Sequence, residues 1–150
     1  MNSLLSITEG PSIDQLEAAL FASGEERINF PIVHRFTPGL YIREITMPAG
    51  ALLTSMEHLT EHPFVISKGA VEVIDTHGNA VLLTAPHTGI TLPNTRRALH
   101  CLEETIWTTF HVTEETDVEK IIESITRHHN PLAPGIPQGW RLSIPENLPL

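Results

Sequence analysis

The chain has 150 residues, 41% hydrophobic and 18% charged. That is the composition of one ordinary globular domain, able to bury roughly 70% of its unfolded surface without a disulfide or metal staple. Eighteen acidic against nine basic side chains give a formal charge of −9, with the few Lys and Arg scattered, which argues against nucleic acid as a partner.

Taken in order, the chain opens without the basic and apolar regions of a signal peptide, and no apolar run reaches membrane-span length. The single Cys101 has no internal partner and reads as a small buried hydrophobe in a reducing compartment. A cytoplasmic protein with no membrane partner is expected.

Ser12 and Gln15 have capping-box spacing, and Ile13, Leu16, Ala19 and Leu20 recur at helical period before Gly24, which predicts a short helix over 12–23. From Ile32 the period changes to two. Strands are predicted at Ile32–His34, Leu40–Met47, Leu52–His58, Phe64–Ser67, Ala70–Thr76, Ala80–Thr84, Gly89–Leu92, Ala98–Leu102 and Thr105–Thr113, with a hairpin tip at His77-Gly78-Asn79. Short strands with turn signals between them predict an all-β barrel or double-sheet jelly roll.

After Thr113 the pattern reverts to helix, with Thr116 or Asp117 as N-cap, Val118, Ile121, Ile122 and Ile125 on one face, and Arg127, His128 and His129 in the last turn. Pro131 to Leu150 holds five of the twelve prolines. This composition predicts an extended arm rather than a central strand, one that lays Trp140 and Leu142 on the barrel or on a neighbouring subunit. The expected organisation is an N-terminal helical extension (1–30), a barrel (31–114), a C-terminal helix (115–130) and the arm (131–150), with a homo-oligomer formed through the arm or an exposed sheet edge.

The chemistry concentrates between Pro48 and Gly69, where His58 and His62 stand in a β-rich stretch. Neutral imidazole is the commonest protein ligand of a borderline metal. The stretch reads Gly50, five residues, Met56-Glu57-His58, three residues, His62, six residues, Gly69. This resembles the first motif of the cupin family, with Met56 where the family has its first histidine, His58 at the second, and His62 in place of the glutamate. The second family motif falls on Leu92 to Cys101, where Pro93 matches and the ligand position lands on Arg97 or Ala98. HPFVISKG, GIT-x-P-x-TRR and WTTFHVT also look like small single-domain cupin-like proteins of tailed bacteriophages.

The resemblance implies a cupin-type double-stranded β-helix with short flanking helices. His111 is the expected third ligand, because in such a barrel the last strand lies beside the one carrying His62, and Trp107 and Thr109 then share its inward face. His100 is a further candidate ligand. The implied cofactor is a divalent transition metal, Fe, Zn, Ni or Cu. Arg96 and Arg97 are candidate anion-binding residues, the alternative being ion pairs with Glu103 or Glu104. His34, His77 and His87 carry no such signal.

His58 to His62 also spells H-x-x-E-H, a zinc-protease motif that requires a helix, but Pro63 follows at once and the neighbourhood is β-rich. Two function classes remain. One is a non-catalytic binding or structural module, phage-associated and holding a divalent ion or a small-molecule or virion partner, in the host cytoplasm or the virion. The other is a metal-dependent oxygenase- or isomerase-like enzyme acting on a small molecule.

Overall fold

The computed structural model describes residues 13–127 and 138–141. Helix α1 (Ile13–Ala22) precedes β1 (Glu26–Asn29), β2 (Ile32–Thr37), β3 (Leu40–Met47), β4 (Ala51–Thr54), β5 (Glu57–His58) and β6 (His62–Lys68). Then come β7 (Ala70–Ile74), β8 (Ala80–Thr84), β9 (His87–Thr91), β10 (Ala98–Cys101), β11 (Thr105–Val112), helix α2 (Val118–Ile125), β12 (Thr126–Arg127) and β13 (Gln138–Arg141). One antiparallel sheet has the order β1-β13-β4-β10-β7-β8 and the other β2-β3-β11-β6-β9, while β12 and β5 form a separate ribbon. This is the all-β double-sheet barrel with two flanking helices that the strand pattern predicts.

The two-residue period sorts side chains between faces. Ile45, Met47, Phe64, Ile66 and Trp107 of the five-stranded sheet meet Val71, Val73, Leu99 and Cys101 of the six-stranded sheet inside the barrel. The opposite face of the six-stranded sheet carries Leu52, Ile74, Ala98 and Trp140, and there Leu16 and Leu20 of α1 pack. Helix α1 therefore covers a sheet face, with Glu17 and Phe21 also bordering the barrel's cavity. Its buried Glu17 adds polar anchors, accepting from Thr54 Oγ1 at 2.5 Å and pairing with Arg96 at 3.1 Å.

Three expectations are corrected. The stretch Leu52–His58 is two strands, because at Ser55 the chain leaves the sheet to bond the loop before β10. Ser55 N donates to Arg97 O at 2.9 Å and His58 N to Thr95 O at 2.7 Å. The second helix stops at Ile125, where Thr126 turns extended and Arg127 joins a strand opposite Glu57. His128 and His129 lie outside the described residues, as does Leu142.

The third correction concerns the Pro-rich segment. Gln138 to Arg141 is not a peripheral arm but an interior strand, pairing with β1 on one side and β4 on the other in the same chain. The four residues contain no proline, so their donors are available to both neighbours. Gly139 permits the close approach: a Cβ there would strike the Phe30 ring and lie 2.5 Å from Leu52 O.

Helix α2 turns Val118, Ile122 and Ile125 toward the barrel's cavity, and its cap follows from sequence. Asp117 accepts from Glu119 N at 3.0 Å and Lys120 N at 3.4 Å. Replacing it by Ala is expected to lower unfolding free energy by about 1 kcal/mol, as for other N-caps. Urea denaturation of Asp117→Ala beside wild type measures this, and an unchanged midpoint would rule the cap out as a source of stability.

Candidate functional site

Strand register builds the site in layers. Across the five-stranded sheet, Phe36 faces Tyr41, Tyr41 faces His111, and His62 faces Thr91. The row beneath runs His34, Arg43, Thr109, Phe64 and Gly89, and the next Ile32, Ile45, Trp107, Ile66 and His87. An apolar floor thus supports a polar middle row and an imidazole-rich top row. The expected inward alternation of Trp107, Thr109 and His111 is observed, all three being buried.

The three histidines singled out from sequence come together. His62 and His111 have ring centres 4.4 Å apart, and His58 and His62 are 5.0 Å apart. His58 reaches them from β5, which is held by β12 and by the Thr95 bridge. His62 Nδ1 donates to Thr60 O at 3.0 Å, which leaves its Nε2 with a free lone pair. His111 Nε2 bonds Thr109 Oγ1 at 2.9 Å. Nδ1 of His58 and Nδ1 of His111 are buried with no hydrogen-bond partner among the described residues.

His100 is not part of this group. It lies on the other face of β10, buried, with Nδ1 3.1 Å from Glu72 Oε1 across the β7 pairing. The reason is alternation: Leu99 and Cys101 take the inward positions. The two arginines also separate. Arg96 is buried in ion pairs with Asp14 and Glu17, not with Glu103 or Glu104, and Glu104 pairs instead with Lys68. Arg97 turns into the barrel, donates to Thr91 Oγ1 at 2.8 Å, and lies over the Phe64 and Trp107 rings at 5.2 and 5.8 Å. Residues 58–62 form strand and turn, so the helical protease motif has no helix to stand on.

The sequence reading passed over Arg43 and set His34 aside. Arg43 sits in the middle row between His34 and Thr109, and His34 Nδ1 lies 2.7 Å from the Tyr41 hydroxyl. A signal for Arg43 existed: Tyr41, Ile45 and Met47 alternate inward on β3, and Arg43 holds the position in phase with them.

Together these groups line a cavity of about 780 Å³, walled by Phe30, Ile45, Leu53 and Leu99 and bounded by Val118, Ile122 and Ile125 of α2. Its electrostatics are distinctive. Burial, with the neighbouring His62 and the Arg97 guanidinium, pushes His58 down to about 3. Burial and His62 do the same to His111, also to about 3. His62 is lowered chiefly by burial. The imidazoles are therefore neutral at pH 7, in the form that ligates metals or accepts protons. The Cys101 thiol is raised by burial to about 11, so it is no nucleophile.

The metal implied by the resemblance can be tested against these residues. Two imidazoles sharing an ion at ~2.0–2.1 Å have ring centres roughly 4.5–5 Å apart, close to both separations here. Neutral rings and two unpartnered nitrogens also fit. Among the described residues, however, no three His, Cys, Asp or Glu donors converge on one point. Receiving an ion therefore requires the rings of His58 or His111 to turn, which for His111 means giving up the bond from Nε2 to Thr109.

No family model matches the chain, and no curated protein matches it. Solved structures do. Ectoine synthase from P. lautus superposes with a TM-score of 0.56 at 11% identity, over 81% of this chain and 83% of that one. Salicylate 1,2-dioxygenase from Pseudaminobacter salicylatoxidans gives 0.52 at 10% identity, over 77% of this chain and 34% of that one. An RmlC-like cupin protein from Desulfovibrio desulfuricans gives 0.47 at 14% identity, over 55% and 82%. No helix among the described residues is long and apolar enough to cross a membrane. With identities this low the likeness speaks to architecture, and there it agrees with the strand order: the chain has the cupin-type double-stranded β-helix fold.

Proposed function

We propose that the barrel is a small-molecule binding module in which His58, His62 and His111 take a divalent transition metal. The observation that carries this reading is the cavity of about 780 Å³ with three neutral imidazoles from β5, β6 and β11 meeting on its lining. When bound, the ion would polarise an oxygen of a small ligand and hold it at the imidazole end. His34 and Thr109 on the lining would orient what binds, and the hydrogen bond from His62 Nδ1 to Thr60 fixes that ring's tautomer.

A second reading is a metal-dependent oxygenase or isomerase. The three-imidazole set favours it, because such a set leaves coordination positions open to a substrate. The likeness of HPFVISKG, TRR and WTTFHVT to phage-encoded cupins, with a virion or host-cytoplasm setting and a homo-oligomeric state, remains part of this proposal and rests on sequence alone.

Metal analysis of protein expressed in supplemented medium tests the assignment. Wild type is expected to carry about one divalent ion per chain, and His58→Ala and His62→Ala to lose at least nine-tenths of it. Equal metal content in all three proteins, or none in any, refutes the site.

A further inference from the structure

The geometry points to an organic anion, a carboxylate on an apolar body, as the occupant of the barrel, with Arg43 and Arg97 as its charge partners. This inference rests on the cavity being a ligand site, and it does not need the metal.

The argument starts from supply and demand of carboxylates. The chain has twice as many acidic as basic side chains, and four of the basic ones are matched: Arg35 with Glu44, Lys68 with Glu104, Arg96 with Asp14 and Glu17, Arg127 with Glu57. Neither Arg43 nor Arg97 has a carboxylate partner among the described residues. Both line the cavity, and burial lowers the pKa of each. A half-buried guanidinium with no carboxylate beside it is costly, and an anion arriving from outside would offset that cost.

The local geometry prepares Arg97 for such a partner. Its guanidinium lies within cation–π range of the Phe64 and Trp107 rings, and its bond to Thr91 Oγ1 occupies one of five N–H groups. A planar guanidinium held this way presents the remaining pairs to a planar oxyanion. The carboxylates on the lining do not compete. Glu17 is engaged by Arg96 and Thr54, while Glu119 and Glu123 are exposed on α2 at the rim.

The remaining walls define the other half of the ligand. Phe30, Trp107, Ile45 and Ile122 are apolar, and a space of this size suits a small organic molecule rather than a bare inorganic ion. Charge balance connects this with the metal. A dication beside two guanidinium groups and neutral imidazoles has no protein anion to offset it, so a bound carboxylate would favour both.

The test uses full-length, chelator-treated protein at pH 7.5 and constant ionic strength, with benzoate, the uncharged benzamide and inorganic phosphate as probes, read by calorimetric titration and thermal unfolding. Wild type is expected to bind benzoate at least tenfold more tightly than benzamide, and Arg97→Gln and Arg43→Met to bring that ratio to within about twofold. Without any probe, Arg43→Met is expected to raise Tm by a few degrees, because an uncompensated, half-buried cation is removed. Equal binding of benzoate and benzamide by wild type would overturn the anion and leave the cavity standing. Phosphate binding as tight as benzoate would overturn the apolar body. Absence of any binding would overturn both this inference and the small-molecule reading, and a lowered Tm for Arg43→Met would show that the guanidinium serves the fold and not a ligand.

Discussion

Between pH 6.5 and 4 the protein is expected to lose most of its stability. His58 and His111 are held near 3 in the folded chain and return to about 6.5 when it unfolds. In that window the unfolded state binds more protons than the folded one, so stability is complete above about pH 6.5 and declines as the pH falls toward 3. His34 and His62, lowered in the same direction by burial first, add to the slope. Two such groups give at most roughly 2–3 kcal/mol per pH unit, and a domain has only about 5–15 kcal/mol in all. Urea midpoints at pH 7, 5.5 and 4.5, with chelator present so that ion release does not contribute, measure the slope in wild type and in His111→Gln. The variant is expected to lose about half of it. An identical slope in the two proteins would mean that His111 is not a source of the acid sensitivity.

Gly69→Ala is the substitution expected to harm the fold most. Gly69 joins β6 to β7 with φ at 97°, a region L side chains rarely adopt, and a Cβ there would press on the Glu104 carbonyl and lie 2.6 Å from Thr105 Oγ1. Strain and overlap act together, and the loss is put at about 2–4 kcal/mol. Backbone cannot yield as a flexible side chain can, since Leu102 N donates to Ala70 O at 2.9 Å and pins the facing turn. Gly24→Ala, with positive φ but open space around it, is the control and is expected to cost about 1 kcal/mol. If thermal unfolding places the two variants within a degree of each other, the steric half of this account fails.

Much of the site could be read from the residues, because it lies on regular strands. Alternation along Thr105 to Val112 places Trp107, Thr109 and His111 on one face, and the spacing from Gly50 through His58 and His62 to Gly69 sets where the barrel's side chains converge. What failed was reading where regularity ends. Ser55 and Met56 carry no Gly or Pro, so nothing local announces that the strand leaves its sheet; the reason lies with Arg97, 42 positions away. Likewise Gln138 to Arg141 are hidden among prolines that say extended but not paired. Arg43 escaped notice because a single charge in a strand is usually on the wet face, and only its phase with Ile45 and Met47 says otherwise. Of Arg96 and Arg97, adjacent in sequence, alternation sends one into ion pairs with α1 and the other into the barrel.

The position of β13 between β1 and β4 has a consequence for how the molecule assembles. Trp140 pairs with Leu52, a partner 88 positions earlier, so β4 cannot be completed until the chain has been made through Trp140. Until then the backbone groups of Ala51 and Leu52 are an open edge, the kind that recruits strands from other molecules. Pairing over such separation closes late and slowly. Docking of β13 is thus the step that converts a sticky nascent sheet into a finished one, and shortening the chain before Gln138 would leave it permanently at that stage.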